Sequence, residues 1–333
     1  MTDKISVIMP AHNVVSKTIN GELAVEEAIK SFLMQTGVEK ELIIVDDNSS
    51  DDTYAILQAI KSKLDVNNEI IISRNQWNMG AGGSRNKGIS IASGAWIMFL
   101  DADDAFTDGA IAALYRKQQE WQVDFITGNV TGENRAPSDR PFRNGDVPRA
   151  DLEKNNLTGP LGPWGKLFSK AIIDQYELTY PSHLNFQEDL IFVLSYFDKV
   201  DSFGIAVRPE FHYVLRKLDD ESQHLTRREV SLEDRLLAVD ETLRGVSANN
   251  IRMQALALGR LLAIRQYQMA FGTTWRDFAK QGQFLIQLTR ILQKHHAEDF
   301  YRAIPDRKIR QQIKYLLNLE DFDDLIKMTQ SMA

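Results

Sequence analysis

Two unbroken apolar runs, Leu42-Ile43-Ile44-Val45 and Trp96-Ile97-Met98-Phe99-Leu100, both stop at acidic clusters, and Ile5-Ser6-Val7-Ile8-Met9 opens the chain in the same manner. A strand with one wet face alternates polar and apolar residues. A run without alternation suits a strand covered on both faces, as in a parallel sheet. Helix-like stretches separate the runs, at Ala24 to Gln35, Thr53 to Leu64 and Gly83 to Ala92, so the first hundred residues alternate strand and helix. That order predicts a right-handed, doubly wound α/β sheet. Ligands of such sheets lie beyond the carboxyl ends of the strands, where this sequence carries Asn13, Asp46, Asp47, Asp101, Asp103 and Asp104.

At 333 residues, the chain is long enough for about two domains. Thr131 to Pro163, with five prolines, reads as a surface excursion. Trp164 to Phe168, Phe203 to Val207 and Phe211 to Leu215 read as short strands, with a helix from Glu188 to Phe197. Beyond about Arg228 only helical periodicity remains: Leu232, Leu236, Val239 and Leu243, then Phe284, Leu288 and Ile291. The expected division is residues 1–228, a sheet domain, and residues 229–333, a helical appendage. A formal charge of −7 leaves no broad basic surface for a nucleic acid. The absence of cysteine excludes disulfides, thiolate metal sites and thiol catalysis. No apolar run approaches the roughly 18 residues of a membrane span, and the chain enters a strand pattern at once, so a cytoplasmic protein is expected. Between Leu285 and Asn318, seven Lys and Arg face three Asp and Glu. Such a stretch is either a solvated helical face or a peripheral contact with the inner face of an anionic membrane.

Asp101-Ala102-Asp103-Asp104 puts three carboxylates within four residues. Their repulsion is offset by a divalent cation such as Mn2+ or Mg2+, or by solvent in a turn where Asp104 or Thr107 caps the next helix. In Val45-Asp46-Asp47-Asn48-Ser49, Ser50 or Asp51 can cap the helix from Thr53, while Asp47 could accept from the imide N–H of a uracil. The stretch Asn78-Met79-Gly80-Ala81-Gly82-Gly83-Ser84-Arg85 is either a tight turn or a backbone cradle for a diphosphate at a helix N-terminus. Glu188-Asp189 opens an apolar helix, as ordinary first-turn acids or as a poised base. Trp164, Lys166, His212, Arg216, Ser222 and His224 are acceptor or phosphate candidates and Asp104 an acceptor or donor-sugar candidate, although a histidine in a strand such as His212 is more often a packed residue.

Together these segments resemble the family 2 glycosyltransferases, inverting enzymes of the GT-A fold, over roughly residues 4 to 225. The matching residues are Val7 to Asn13, Val45 to Ser49, Gly80 to Gly88, Asp101 to Asp104, Pro163 to Phe168, and Glu188-Asp189. The resemblance implies a GT-A type doubly wound mixed sheet with the C-terminal helical appendage. It implies that Pro10, Ala11, Asn13, Asp47, Gly80, Ser84, Arg85 and Asp101 line a nucleotide pocket, with Asp47 reading the base, Arg85 on the diphosphate side and Asp101 towards the ribose. Asp103 would be the main metal ligand, and Asp189 the general base with Glu188 beside it. His12 stands where the family often has an aromatic residue, and Val15 to Glu22 is longer than usual. The implied activity is a metal-dependent hexosyl transfer from a nucleoside-diphosphate sugar, most often a UDP-sugar, to a hydroxyl of a surface glycan or lipid-linked glycan, with a homo-oligomer as one assembly. Two other readings stay open. A sugar nucleotidyltransferase would want a glycine-rich, lysine-bearing loop after the first strand, where this chain has Pro10-Ala11-His12-Asn13. A non-catalytic sugar-nucleotide-binding scaffold would not need the carboxylates.

Overall fold

The computed structural model describes residues 4–133, 138–184, 186–220, 230–264, 267 and 278–318. In chain order the strands are β1 (Ile5–Ala11), β2 (Thr18–Ile19), β3 (Glu22–Leu23), β4 (Lys40–Asp46), β5 (Ile70–Arg74), β6 (Trp96–Phe99), β7 (Ala105–Phe106), β8 (Phe125–Gly128), β9 (Val130–Gly132), β10 (Val147–Ala150), β11 (Lys166–Ser169), β12 (Phe203–Ala206) and β13 (Tyr213–Leu215). Eight of them form one mixed sheet in the order β10-β12-β8-β11-β6-β1-β4-β5. β1 pairs in parallel with both β4 and β6, and β5 extends the parallel half. β11 runs antiparallel to β6 and β8.

The alternation of strand and helix does this because each parallel connection must cross a face of the sheet. The crossovers are α1 (Ala24–Leu33), α2 (Thr53–Leu64) and α3 (Gly80–Ile91). From β1 the chain steps outward to β4 and β5, then returns to the other side of β1 as β6. That reversal opens a crevice at the carboxyl ends of β1, β4 and β6. The inner parallel strands β1, β4 and β6 are dry on both faces, as their unbroken runs predict, while the edge strand β5 is partly exposed. Val7, Met9, Leu42, Ile44 and Met98 join Ala28, Ile29 and Phe32 in one cluster. On α3, Gly88 lies so close to β1 that a Cβ there would overlap the Ile8 side chain. Phe99 meets Phe168 and Tyr180 edge-on, with ring centroids 5.8 and 5.6 Å apart.

The excursion from Thr131 to Pro163 contributes more than loop: β9 belongs to a second small sheet, β7-β13-β9, and β10 is an edge strand of the main one. The long stretch from Val15 to Glu22 folds into the β2–β3 hairpin, clamped by the Asp219 carboxylate. It accepts from Thr18 Oγ1 (2.8 Å) and from the backbone N–H groups of Asn20 (2.9 Å) and Gly21 (3.0 Å).

Two compact units emerge, residues 1–185 with 199–228, and residues 186–198 with 229–333. The helix α6 (Glu188–Phe197) therefore packs with the second unit, through α7 (Leu232–Gly245). That unit is helical as the periodicity predicts, with α8 (Ile251–Leu262) and the helices Phe278–Lys294 and Arg307–Leu317. Asp198 ties its start to the turn after α7, accepting from Ser247 N (3.0 Å) and Asn250 Nδ2 (2.7 Å). In the basic stretch, Ile309, Ile313 and Leu316 are buried while Arg307, Lys308 and Lys314 are exposed. Among the described residues no helix is long and apolar enough to cross a membrane.

Candidate active site

Asp46 and Asp47 end β4 with both side chains turned into the protein. Asp46 is fully buried; its Oδ1 accepts from Ser49 N (3.1 Å) and Ser49 Oγ (2.5 Å), and Arg74 Nε lies 3.0 Å from Oδ2. Asp47 is 3% exposed, and its Oδ1 accepts from Asn75 Nδ2 (2.7 Å) and Met79 N (2.8 Å). Asn75 also donates to Ser84 Oγ (3.0 Å). One carboxylate thus ties the end of β4 to the glycine loop that opens α3, where Gly80 takes a left-handed φ of +72°. Asp47 N donates to Ala11 O (2.8 Å), which locks β4 to β1 beyond their paired residues, where Pro10 faces Val45. Asn13, at φ +47°, accepts from Ser50 N (2.9 Å), and its own N–H donates to Ser49 Oγ (3.0 Å). His12 Nδ1 sits 3.0 Å from Asp47 O. Asp51, not Ser50, serves the start of α2: it accepts from Thr53 N (3.0 Å). Burial pushes the Asp51 carboxyl up, but the bonds from Thr53 and Val15 outweigh it, so the carboxyl lies below the usual carboxylate range.

The second acidic cluster follows β6. Asp101 and Asp103 are half-buried, and Asp104 is 1% exposed. Asp104 N donates to Asp101 O (3.1 Å), so the four residues form a closed turn. Arg85, buried in α3, donates from Nη2 to Asp101 Oδ1 at 2.8 Å, with its guanidinium 5.4 Å from the Tyr180 ring centroid. The family resemblance puts Arg85 on the diphosphate side; in the folded chain it also pairs with Asp101. Neither Asp104 nor Thr107 caps the next helix, α4 (Ala110–Trp121), whose N-cap is Gly109. Instead the two Asp104 oxygens accept from Tyr213 Oη and Arg216 N, both at 3.0 Å, and Thr107 Oγ1 donates to Phe211 O (2.7 Å). Burial, then the charges of Asp104 and Asp101, pushes the Tyr213 hydroxyl well above its ordinary value, so it stays a donor.

The remaining candidates divide. Lys166 is buried in β11, its ammonium donating to Gly162 O (2.7 Å) and lying 5.9 Å from the Trp164 ring centroid. Trp164 is half-buried and bridges to Phe99. His212 is 1% exposed; its Nδ1 lies 2.8 Å from Asn129 Oδ1, and burial, helped by the Arg208 charge, pushes its pKa down to about 3. It is a neutral, packed side chain. Ser222 and His224 lie outside the described residues. Glu188 and Asp189 occupy the first turn of α6, following Gln187 at φ +62°. Asn75, Tyr180 and Tyr213 are the structural partners that sequence reasoning missed. The one signal for Tyr213 was its polar head in a strand beside His212.

Among the described residues no three Asp, Glu or His side chains gather to hold a cation unaided. Mg2+ and Mn2+ want oxygen donors, and Mg2+ commonly takes one or two carboxylates with substrate phosphates completing its shell. Two half-buried carboxylates, Asp101 and Asp103, at the mouth of the sheet fit that pattern. The site as a whole is a crevice at the carboxyl ends of β1, β4 and β6 of an α/β sheet. Asp47 joins β4 to the α3 loop, Arg85 joins α3 to the end of β6, and an open hollow of about 280 Å³, lined by Trp77, Asn78, Met79, Gly80, Ser182 and His183, lies beside that loop.

Comparison with known proteins gives this class its family. The family model described as glycosyl transferase family 2 matches residues 6–176. A poly(ribitol-phosphate) β-glucosyltransferase of Bacillus spizizenii is 27% identical over 265 residues, covering 77% of this chain and 40% of the relative. The poly(ribitol-phosphate) β-N-acetylglucosaminyltransferase TarP of Staphylococcus aureus is 29% identical over 229 residues, covering 67% of this chain and 66% of TarP. The crystal structure of residues 1–349 of S. aureus TarS in complex with UDP-GlcNAc has the same fold, with a TM-score of 0.83, 21% identity, and coverage of 98% of this chain and 91% of that one. The chain belongs to glycosyl transferase family 2, on a GT-A type mixed sheet. It spans 40% of the length of the Bacillus relative and 66% of TarP.

Proposed function

We propose that this chain transfers a sugar from a UDP-sugar to a hydroxyl of a cell-surface glycan, with inversion and with the help of a divalent cation. The observation that carries the reading is the Asp101–Asp104 turn: half-buried carboxylates at the switch point of the sheet, joined by Arg85 to the glycine loop that Asp47 holds. The relatives support the donor and the acceptor class, since TarS was crystallised with UDP-GlcNAc and both sequence relatives are named for poly(ribitol phosphate). A nucleotide-sugar donor suits a cytoplasmic place of work. Residues 1–185 with 199–228 form the donor-binding unit in this reading, and residues 229–333 a helical appendage.

Asp103, with Asp101 beside it, would hold the cation, which as a Lewis acid lowers the cost of charge on the departing diphosphate. Pro10, Ala11, Asn13, Asp47, Gly80 and Ser84 shape the nucleotide pocket through the backbone they fix. Asp189, the residue the family resemblance makes the base, takes the acceptor's hydroxyl proton, with Glu188 next to it. The acceptor oxygen forms its bond to the anomeric carbon as the bond to the diphosphate oxygen breaks, and UDP leaves. One base and one in-line displacement give inversion. Two carboxylates flanking a glycosidic bond would instead suit hydrolysis. Any contact of the helical domain with an anionic surface would go through exposed Arg307, Lys308 and Lys314, because Ile309, Ile313 and Leu316 of that helix are already buried.

Thermal unfolding with UDP, GDP, CDP and TDP, each with and without Mn2+, tests the reading. A nucleotide at about 100 times its Kd adds about 2.7 kcal/mol. UDP with Mn2+ is expected to raise Tm by several degrees and the other nucleotides by less; no shift with any of them would overturn the reading.

A further inference from the structure

One buried hydroxyl bonds to both ends of the Asp101–Asp104 turn. Tyr213 Oη accepts from Asp101 N at 3.0 Å and donates to Asp104 Oδ2 at 3.0 Å, so it is bonded to both ends of the turn at once. The far oxygen of Asp104 accepts from Arg216 N, three residues along the same chain as Tyr213. The tyrosine itself has no freedom: it is fully buried, its ring meets Phe106 edge-on with centroids 5.6 Å apart, and β13 is held between β7 and β9. Asp103 lies inside the loop so closed and is half-buried. A carboxylate that must meet a cation and a diphosphate works best when its backbone needs no rearrangement on binding, since each ordering step would subtract from affinity.

We propose that Tyr213 is a positioning residue for donor binding: its hydroxyl fixes the backbone of the Asp101–Asp104 turn and so presents the Asp103 carboxylate in its binding position before any ligand arrives. The proposal rests on the reading that this turn holds the donor's cation. Asp104 then belongs to the scaffold of the turn, its oxygens turned to Tyr213 and Arg216.

Tyr213→Phe removes the hydroxyl and keeps the packed ring. Hydrogen exchange on the ligand-free variant is expected to quicken at Asp101 and Arg216. Calorimetric titration of Mn2+ into protein saturated with UDP is expected to show weaker cation binding by about 5- to 30-fold, the worth of one or two hydrogen bonds. In turnover, the KM for Mn2+ should rise more than kcat falls. A variant with comparable loss of Tm elsewhere in the same unit, Ile60→Val, should leave the Mn2+ titration unchanged, which separates positioning from general destabilisation. Faster exchange with unchanged Mn2+ binding would overturn the proposal and leave the donor reading standing. Failure of the wild-type protein itself to bind UDP with Mn2+ would overturn both. If Tyr213→Phe folds poorly, Asp104→Asn, which keeps an oxygen for Arg216 N but turns an amide towards the tyrosine hydroxyl, is expected to give the same Mn2+ effect.

Discussion

Two acidic strand ends, Asp46-Asp47 at the end of β4 and Asp101 to Asp104 after β6, look alike in the sequence and are used in opposite ways. At the end of β4 both carboxylates are buried, 0% and 3% exposed, and bonded to Ser49, Arg74, Asn75 and Met79. After β6 only Asp104 is buried, bonded to Tyr213 and Arg216, while Asp101 and Asp103 remain half-buried at the mouth of the sheet. The first cluster builds the rim of the crevice and the second fills its mouth. A run of carboxylates at a strand end therefore marks the place of a site without saying which residues will touch a ligand.

The sharpest break of this comparison is Asp103→Asn. It should cost at least about 100-fold in kcat while leaving the urea midpoint within experimental error. A large fall in stability would mean that Asp103 is structural, like the β4 pair. Next, Asp47→Ala leaves the Met79 N–H and Asn75 amide without their acceptor in a buried place. It should lower unfolding free energy by about 2–3 kcal/mol, measured by urea unfolding, and weaken UDP binding only as a consequence. Intact stability with lost UDP binding would show Asp47 to be a direct ligand of the base.

A third test concerns the scaffold under the β6 turn. His212, with a pKa near 3 when folded and 6.5 when unfolded, is neutral in the native state, so stability is full above about pH 6.5 and falls as pH drops towards 3. Urea midpoints of wild type and His212→Gln, compared between pH 7 and 4, should converge as the pH falls. A constant gap would show that the imidazole does not resist protonation. The smallest effect is expected for Ser49→Ala, which removes the hydroxyl between Asp46 and Asn13 N. It should cost about 1 kcal/mol with little change in UDP affinity.

Much of this was legible in the sequence because it follows from local pattern. The unbroken runs at Leu42 and Trp96 required strands dry on both faces, the alternation required parallel crossovers, and the acidic ends marked the crevice. The helix Thr53–Leu64 and the helix Glu188–Phe197 stand where their periodicity and first-turn residues put them. The apolar spacing of four, three and four residues from Leu232 to Leu243 follows the 3.6-residue period of a helix. The chain alone also excluded thiol chemistry, since it holds no cysteine.

Tertiary structure decided the rest, because burial and hydrogen-bond partners come from residues far apart in the chain. Asp47 finds Asn75 and Met79, about 30 residues on. Asp104 finds Tyr213 and Arg216, more than 100 residues away, so it serves the turn where a local reading would make it a helix cap. Lys166 and His212 have the chemistry of ligands, yet in the folded chain the first is bonded to Gly162 O and the second is held neutral by burial. The same periodicity that gives α6 its apolar residues cannot say which neighbours they bury against, and the fold packs that helix on α7. Sequence sets which surfaces must leave water and which residue types stand at strand ends; only the folded chain sets the partners that each polar group meets there, and with them its charge, its direction and its role.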